Sequence, residues 1–319
     1  VGPGTGDIQP IPTFFGLGTQ YGHYHGGGST TAPTWTQNTI NKISFTSDGN
    51  ATDRGDLSVA RYHISSASSS TYGYSVGGMM SGPPNGHTDI IDKYAFANSA
   101  NATDVGNLIQ AQGYVASGTN SESYGYAAGG TMDPPGNDDT IQKFAFASDG
   151  NASDVGNIIE ALYWTSGHTS EDYGYASGGR EGPVNRIQKY AFASDGNSID
   201  QGDLLTGSAA DAGTQSVTHG YRSQNTAATP ADGVTIQKFA FASAANATDV
   251  GDLAQECYQS QSQGCSAVGF CYNLGGNGAT ANSYGSYDYI QKWSTTSDGN
   301  ATDIGNLTIS QMYGAGTND

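Results

Sequence analysis

Residues 140–158 read TIQKFAFASDGNASDVGNI, and nearly the same nineteen residues occur six times along the chain. Each copy has an isoleucine followed two positions later by a lysine. These are the six lysines of the chain: Lys42, Lys93, Lys143, Lys189, Lys238 and Lys292. A self-similar segment that recurs about every 50 residues is typical of a repeat architecture. The repeats therefore decide the fold before any single motif does.

One repeat unit predicts four short strands. In the third unit these are AQGYVAS, SYGYAAGG, TIQKFAFA and ASDVGNI, with an Asp149-Gly150 turn between the last two. Six four-stranded antiparallel sheets placed radially form a propeller, so we predict an all-β, six-bladed β-propeller in one domain spanning 1–319. The units lie near 11–57, 58–108, 109–158, 159–204, 205–253 and 254–307, followed by a closing strand at 308–319.

The tail of the chain predicts how the ring closes. Its sequence SQMYGAGTND (310–319) matches QGYVASGTN (112–120), which is the first strand of the third unit. The first unit begins atypically, around IPTFFGLG (11–18). We therefore expect the C-terminal strand to complete the first blade.

The order of strands and glycines resembles the kelch repeat. A double glycine follows the aromatic-rich second strand in five units, whereas the fifth unit reads HGYRSQN (219–225). The amino-acid sequence of the third and fourth strands, as in FAFASDGNASDVG (144–156), is similar to that of kelch-like repeats in structural and fibre proteins of tailed phages of marine cyanobacteria. This resemblance implies a propeller and a non-enzymatic structural or adhesion role in the extracellular space or on a virion surface.

The charge of the chain excludes some partners. Its 29 acidic and 11 basic residues give a net charge of −18, which disfavours nucleic acid and anionic membrane surfaces. No apolar run of 18 residues is present, so membrane insertion is not expected. Solubility is the simplest reading of this acidity.

The repeated lysines predict structural ion pairs rather than a functional site. Each lysine is followed eleven residues later by an aspartate, and the third and fourth strands of a blade are antiparallel neighbours. The predicted pairs are Lys42–Asp53, Lys93–Asp104, Lys143–Asp154, Lys189–Asp200, Lys238–Asp249 and Lys292–Asp303. The net contribution of each pair to stability is expected to be small.

Three further patterns leave alternatives open. The Asp149–Asp154 segment has oxygen ligands at alternating positions, as calcium sites do, but Ser99 and Ala244 replace the first aspartate elsewhere, so we predict no metal or other cofactor. The Asn-Ala-Thr/Ser segments fit N-glycosylation or a turn-forming role of the asparagine. Cys257, Cys265 and Cys271 allow one disulfide and a spare thiol or three free thiols, and a metal site is less favoured.

Catalytic patterns are weak. The six histidines form no recognisable metal pair with a third ligand, although His23 and His25 alternate within one strand. Sialidase propellers need an arginine cluster, and kelch-type copper oxidases need a Tyr–Cys pair with two histidines. Neither pattern is evident, so we expect no enzyme, and a propeller hydrolase is the least favoured reading.

Strand parity predicts the surface on which a partner would bind. The loops between second and third strands share a face with the connections between units, and these loops differ in every unit, whereas the turns on the other face are nearly constant. Binding sites are often presented in this way. The candidate side chains in these loops are Trp35, His87, Asp138, Arg180, Asn185 and Tyr287.

The sequence therefore predicts a structural or adhesion module, in a virion fibre or decoration, that binds structural neighbours or a host-surface glycan. The alternative is a secreted or cell-surface carbohydrate-binding protein of a microbe. In both, aromatic side chains that stack on a sugar are expected to come from loops, because the strand aromatics are predicted to form the core.

Overall fold

A computed structural model describes residues 16–82, 86–114, 117–132, 136–181, 184–207, 209–223, 234–257, 264–280 and 283–319. These residues form an all-β structure without helices. The start of the first predicted unit, 11–15, lies outside the described residues, as do parts of five of the six second-to-third loops.

The described strands are numbered in chain order. They are β1 (Tyr21–His25), β2 (Thr39–Ser44), β3 (Thr52–Asp56), β4 (Ser65–Ser68), β5 (Tyr72–Val76), β6 (Met79–Met80), β7 (Gly86–Ala95), β8 (Thr103–Gly113), β9 (Ser117–Asn120), β10 (Tyr124–Met132), β11 (Gly136–Ala145), β12 (Ser153–Asn157), β13 (Ser166–Thr169), β14 (Tyr173–Ser177), β15 (Arg186–Ala191), β16 (Ile199–Asp203), β17 (Ala212–Gln215), β18 (His219–Ser223), β19 (Thr235–Ala240), β20 (Thr248–Asp252), β21 (Cys265–Ala267), β22 (Phe270–Leu274), β23 (Asn277–Thr280), β24 (Ser283–Ser286), β25 (Tyr289–Ser294), β26 (Thr302–Asn306) and β27 (Ala315–Asn318).

Blades of four antiparallel strands are arranged as a propeller, which confirms the all-β propeller architecture predicted from the repeats. Four sheets have four strands each, in the orders β27-β1-β2-β3, β13-β14-β15-β16, β17-β18-β19-β20 and β21-β22-β25-β26. A fifth sheet of nine strands contains units two and three, in the order β12-β11-β10-β8-β7-β5-β4 with β6 and β9 at its side. A separate hairpin, β23-β24, extends from the last unit.

The core lies between consecutive units, because both faces of each blade carry apolar side chains. Tyr126 of β10, for example, stacks on Phe192 of the next unit with ring centroids 4.9 Å apart, and both Tyr126 and Ile141 are fully buried. Six such hydrophobic clusters occur among the described residues, and each combines side chains of two neighbouring units. The alternating aromatics of the repeat are therefore core residues.

The C-terminal strand pairs with the first strand of the chain. β27 is antiparallel to β1, from Gly22 opposite Asn318 to His25 opposite Ala315. The Asp319 carboxylate then accepts hydrogen bonds from the backbone N–H groups of Thr19, Gln20 and Tyr21 at 2.9–3.1 Å. The sheet of the first unit thus contains both ends of the described chain.

The predicted ion-pair partners are wrong. Lys143 lies opposite Ser153, and Asp154 lies opposite Gln142. Because successive side chains of a strand point to opposite faces, this register directs Lys143 and Asp154 to opposite faces of the blade. All six units share it: Lys42, Lys93, Lys143, Lys189, Lys238 and Lys292 each lie opposite the residue before the predicted aspartate.

Four of the six lysines bind an aspartate of the next unit instead. Lys93 Nζ lies 2.7 Å from Asp149 Oδ1, and Lys143 Nζ lies 2.6 Å from Asp195 Oδ1. The aspartates named in the prediction accept a hydrogen bond from the backbone N–H of the glycine two residues later. These aspartates are Asp53, Asp104, Asp154, Asp200, Asp249 and Asp303.

The repeated asparagine also connects neighbouring units. Asn151 Oδ1 accepts the backbone N–H of Asn107 at 3.1 Å, and each unit has an equivalent bond. Unit four makes this bond through Asn197, although its sequence Asn197-Ser198-Ile199 is not a glycosylation motif. The hydrogen bond between units therefore accounts for the asparagine without a glycan.

The three cysteines are free and buried. Burial raises the pKa of the Cys257 and Cys271 thiols to about 12. The thiols are therefore protonated side chains of the core at neutral pH.

Candidate functional site

The second-to-third loops and the connections between units are adjacent on one face, which we call the variable-loop face. Tyr62, in the connection that enters unit two, forms an antiparallel bridge with Met79 in the loop of that unit. Tyr163 and Arg180 form the equivalent bridge in unit four. Side chains of these two kinds of segment can therefore build one site.

Five residues in the connections have a left-handed backbone although none is a glycine. They are His63 (φ 53°), Tyr114 (φ 46°), Trp164 (φ 58°), Ala210 (φ 63°) and Tyr313 (φ 61°). Such a conformation costs roughly 1–3 kcal/mol and persists only where the surrounding structure enforces it. Here neighbouring connections hold one another by backbone hydrogen bonds, from His63 N to Tyr313 O at 2.8 Å and from Ala210 N to Trp164 O at 3.0 Å.

Four of these residues form an aromatic cluster, consisting of His63, Tyr114, Trp164 and Tyr313. The His63 ring centroid lies 4.0 Å from that of Tyr313, 4.2 Å from that of Tyr114 and 5.7 Å from that of Trp164. Burial holds the pKa of His63 well below its ordinary value, so its imidazole is neutral at pH 7. The left-handed positions thus gather rings from four connections without adding charge.

An open cleft of about 350 Å³ lies beside this aromatic cluster. Its walls combine three aromatic side chains, two methionines and several polar groups. The lining residues are Met79, His87, Tyr114, Thr131, Met132, Gly136, Asn137, Tyr163, Trp164 and Glu181. They come from the loops of units two, three and four and from the connections between those units, so the cleft depends on the propeller arrangement.

The floor of the cleft forms where units two and three share a sheet. The extended ends of β10 and β8 pair through Thr131 opposite Gly113 and Met132 opposite Gln112. Thr131 Oγ1 lies 2.9 Å from His87 Nε2 and donates to Gly113 O at 3.0 Å. A Cβ atom at Gly113 would lie 2.0 Å from His87 Cδ2, so the close approach of His87 requires glycine there.

Charged groups of both signs lie at the edge of the cleft. The Arg180 guanidinium lies over the Trp164 ring, 5.2 Å from its centroid, which is a cation–π distance. Glu181 lines the cleft and is exposed. The arrangement combines an aromatic wall with hydrogen-bonding groups of fixed position, which is the usual composition of a site for a small organic ligand.

The structure brings two of the six predicted binding residues, His87 and Arg180, to this cleft. Trp35 lies on the same face, 37% exposed, with its ring 6.1 Å from that of Tyr62. Tyr287 packs on Tyr289 in the last unit, with ring centroids 4.9 Å apart. These two aromatics belong to other parts of the face.

The remaining two candidates support the backbone of their loops. Asp138 is only 5% exposed, because its carboxylate accepts hydrogen bonds from Gln112 Nε2 and, at 2.7 Å, from Thr140 Oγ1. Asn185 O accepts the backbone N–H of Leu204 at 2.6 Å, and its side chain is half-buried. Asp138 is therefore not available to a partner, contrary to the prediction.

Sequence reasoning missed the aromatic wall of the cleft, formed by Tyr114, Tyr163 and Trp164. The signal is present, since an aromatic or histidine precedes the first strand in several units. Such a residue is hard to distinguish from the strand that follows, because a left-handed turn at these positions has no glycine to mark it.

Among the described ranges, no group of three or more His, Cys, Asp or Glu side chains is arranged to hold a metal ion. The turn aspartates considered for calcium bind lysine instead, as Asp149 binds Lys93. In the same part of the chain, no helix has the length and apolar character needed to cross a lipid bilayer.

Comparison with known proteins adds no family. No protein-family model matches the chain, and no curated protein matches it.

Proposed function

We propose that this chain is a non-enzymatic, six-bladed, kelch-like β-propeller that binds a saccharide on its variable-loop face. The observation that carries the proposal is the cleft of about 350 Å³ with an aromatic wall of Tyr114, Tyr163 and Trp164. The proposed role is binding without turnover, and it needs no cofactor.

To reach six blades, we interpret the nine-stranded sheet as two blades, one from unit two and one from unit three. Its strands β4-β5-β7-β8 and β9-β10-β11-β12 each belong to one repeat unit, and among the described residues the two sets are joined by two residue pairs between β10 and β8. The six hydrophobic clusters between consecutive units support the same count. Pairing of β27 with β1 is consistent with a ring that the C-terminal strand closes.

A saccharide suits the chemistry of this cleft. One face of a pyranose ring presents C–H groups that pack on an aromatic ring, while its hydroxyl groups require donors and acceptors nearby. Tyr114 and Trp164 supply the rings, with centroids 5.3 Å apart. Thr131, Asn137 and Glu181 supply polar atoms along the same walls.

The proposed setting is extracellular, on a virus particle, where the chain would serve as a fibre or decoration component. The similarity of its repeats to kelch-like phage fibre proteins supports this setting. Other structural proteins of the particle would be further partners, and a host-surface glycan would be the ligand. A secreted or cell-surface carbohydrate-binding protein of a microbe is the alternative, and it would use the same cleft.

A glycan array probed with the purified chain tests saccharide binding. We expect selective binding to a small group of glycans, and Trp164→Ala should weaken it at least tenfold, which corresponds to about 1.4 kcal/mol. Because Trp164 also packs within the aromatic cluster, Glu181→Gln serves as a second variant at an exposed position of the cleft.

Trp35→Ala is the matched control, because Trp35 is an exposed aromatic of the same face outside the cleft. It should leave binding unchanged. An array without selective binding, or equal loss in Trp35→Ala and Trp164→Ala, would contradict the proposed site.

Electron microscopy with an antibody to the chain tests the setting. Label on fibres or capsids of purified extracellular particles is expected. Label on cells, with bare particles, would instead favour the surface protein of a microbe.

A further inference from the structure

Four of the boundaries between units carry the same exposed ion pair at the rim. A lysine of one unit binds the aspartate that begins the third-to-fourth turn of the next unit, with N···O distances of 2.6–2.7 Å. The pairs are Lys93–Asp149, Lys143–Asp195, Lys238–Asp298 and Lys292–Asp48. The carboxylate position is therefore a regular feature of these boundaries.

Two boundaries keep the lysine but lack the carboxylate. In the turn of unit two, Ser99 stands where the aspartate that would pair with Lys42 of unit one is expected, and in the turn of unit five, Ala244 stands where the partner of Lys189 of unit four is expected. The same two boundaries have a polar residue, Arg54 or Gln201, in the fourth strand. The other four have an aliphatic residue there: Val105, Val155, Val250 and Ile304.

The boundary between units one and two therefore holds two cations. Arg54 is 3% exposed and donates from Nη2 to the backbone oxygens of Ala95, the last residue of β7, and of Asn98, in the turn that contains Ser99. Its Nη1 finds no hydrogen-bond partner among the described residues. Lys42 Nζ lies 3.5 Å from the centroid of the Tyr21 ring, and no carboxylate within the described part of the chain lies within ion-pair distance of either cation.

This local excess of positive charge is unusual in a chain with 29 acidic and 11 basic residues. Its effect is visible at His23, a buried neighbour of both groups. Burial is the largest cause that lowers the pKa of His23, and together with the charges of Arg54 and Lys42 it brings that pKa to about 3. The positive charges of Arg54 and Lys42 thus lie in one small region of the boundary. At four other boundaries, an aspartate neutralises the charge of the equivalent lysine.

We propose that the notch formed by Lys42, Arg54 and Ser99 binds one tetrahedral oxyanion, such as phosphate or sulfate. The anion would occupy the place that the aspartate carboxylate has at four other boundaries. Lys42 Nζ and the exposed Ser99 hydroxyl donate hydrogen bonds to it, and the buried Arg54 guanidinium adds positive potential from below the turn. The site is separate from the aromatic cleft and does not depend on saccharide binding.

The boundary between units four and five offers a built-in comparison. It also lacks the aspartate, but Gln201 there is uncharged and Ala244 has no hydroxyl. Gln201 Nε2 donates a hydrogen bond to Ser243 O, in the turn of unit five, at 2.7 Å. Arg54 makes the equivalent hydrogen bond to Asn98 O in the turn of unit two. With one cation instead of two, this boundary should bind an anion much more weakly.

Inorganic phosphate is the first probe, titrated at constant ionic strength with chloride as the balancing anion. Phosphorus-31 NMR line broadening measures binding directly, and thermal unfolding measures the resulting rise in Tm. Sulfate is tested in a second series in the same way. The wild-type chain should bind one phosphate, with a Tm that rises with its concentration.

Ser99→Asp is the decisive variant, since it introduces the carboxylate that the other boundaries have. It should fold, gain stability in the absence of phosphate and bind phosphate at least tenfold more weakly. Ala244→Asp is the matched control, because it completes the other incomplete boundary and should leave phosphate binding unchanged. Lys42→Met should lose binding without gaining stability.

Equal phosphate affinity in the wild type and Ser99→Asp would overturn the proposal, and so would a wild type without phosphate-dependent broadening. A rise in Tm that is the same in all variants would show a general salt effect and would also overturn it.

Discussion

Lys292 Nζ lies 2.7 Å from Asp48 Oδ1, so the last repeat unit is joined to the first by the same ion pair that joins neighbouring units elsewhere. The two residues are far apart in the sequence, yet their geometry matches that of Lys93 and Asp149. The boundary at the chain ends is therefore built by the same rules as the others.

The first prediction concerns the strength of these pairs. In a double-mutant cycle of Lys143→Met and Asp195→Asn, we expect a coupling free energy of about 0.2–1 kcal/mol in urea unfolding at low salt. The value is small because the Asp195 side chain is 51% exposed, so water and ions screen the attraction.

Lys189→Met is the control for this cycle, because Lys189 has no aspartate at the turn it faces. It should change stability less than Lys143→Met, and added salt should not alter the difference from wild type. Glycan binding should be unaffected in both. A coupling free energy of several kcal/mol would contradict the view that these pairs contribute little to stability and serve mainly to align neighbouring units.

The second prediction concerns the C-terminal strand. A chain ending at Leu307 lacks β27, which exposes the backbone edge of β1 and removes the buried Ala315 and Thr317. We expect its thermal transition to broaden and to lose cooperativity. Asp319→Ala should cost only about 1 kcal/mol, because it removes hydrogen bonds at a half-buried position and leaves the strand in place. A truncated chain that melts like the full one would show that β27 is dispensable.

The sequence predicted the fold well because its information was periodic. The repeated segment TIQKFAFA predicted a strand whose apolar side chains are in the core, and Ile141 and Phe144 are indeed buried. The match between the tail and the third unit predicted the pairing of β27 with β1. These inferences needed only comparison of one unit with another.

The ion-pair partners and the cleft needed information that one unit lacks. The prediction placed Lys143 beside Asp154 from strand adjacency alone, whereas one residue of register separates the two faces of a blade. Contacts such as Lys143 with Asp195 arise between units, so they depend on how blades pack. The sequence does contain one indication of these contacts. Ser99 of unit two replaces the usual aspartate, and Arg54 of unit one replaces the usual aliphatic residue, and the two changes occur on opposite sides of the same boundary between units.

The third prediction is a loss of stability in acid. Burial lowers the pKa of His23 and of His168 to about 3, and it lowers that of His25 well below the ordinary value. The unfolded chain, with histidine pKa values near 6.5, binds these protons first. Stability is therefore complete above about pH 6.5 and falls as the pH drops from there towards 3, by roughly 1.4 kcal/mol per pH unit for each histidine.

His23→Tyr tests one of these contributions. The equivalent position of the other units is tyrosine, as at Tyr126, and the His23 ring already stacks on Phe96 with centroids 5.1 Å apart. The slope of unfolding free energy between pH 6 and pH 4 should decrease by about one proton. His219→Tyr, at a half-buried position, should change it less. An unchanged slope in His23→Tyr would mean that His23 is not neutral in the folded state.

The fourth prediction separates backbone strain from the contact between units. Gly150 and Gly156 have similar backbone angles, with φ of 156° and 147°. A Cβ at Gly150 meets nothing within 4 Å, whereas one at Gly156 would lie 2.3 Å from Gly196 O in the next unit. Alanine at either position brings strain of roughly 1–3 kcal/mol. Only Gly156→Ala must also displace a neighbouring turn, so we expect it to lower the free energy of unfolding by about 2 kcal/mol more than Gly150→Ala. Urea unfolding of the two variants measures this difference. Equal losses would mean that the turn containing Gly196 moves aside at no cost in free energy. The close contact between Gly156 and that turn would then not hold the two units in place.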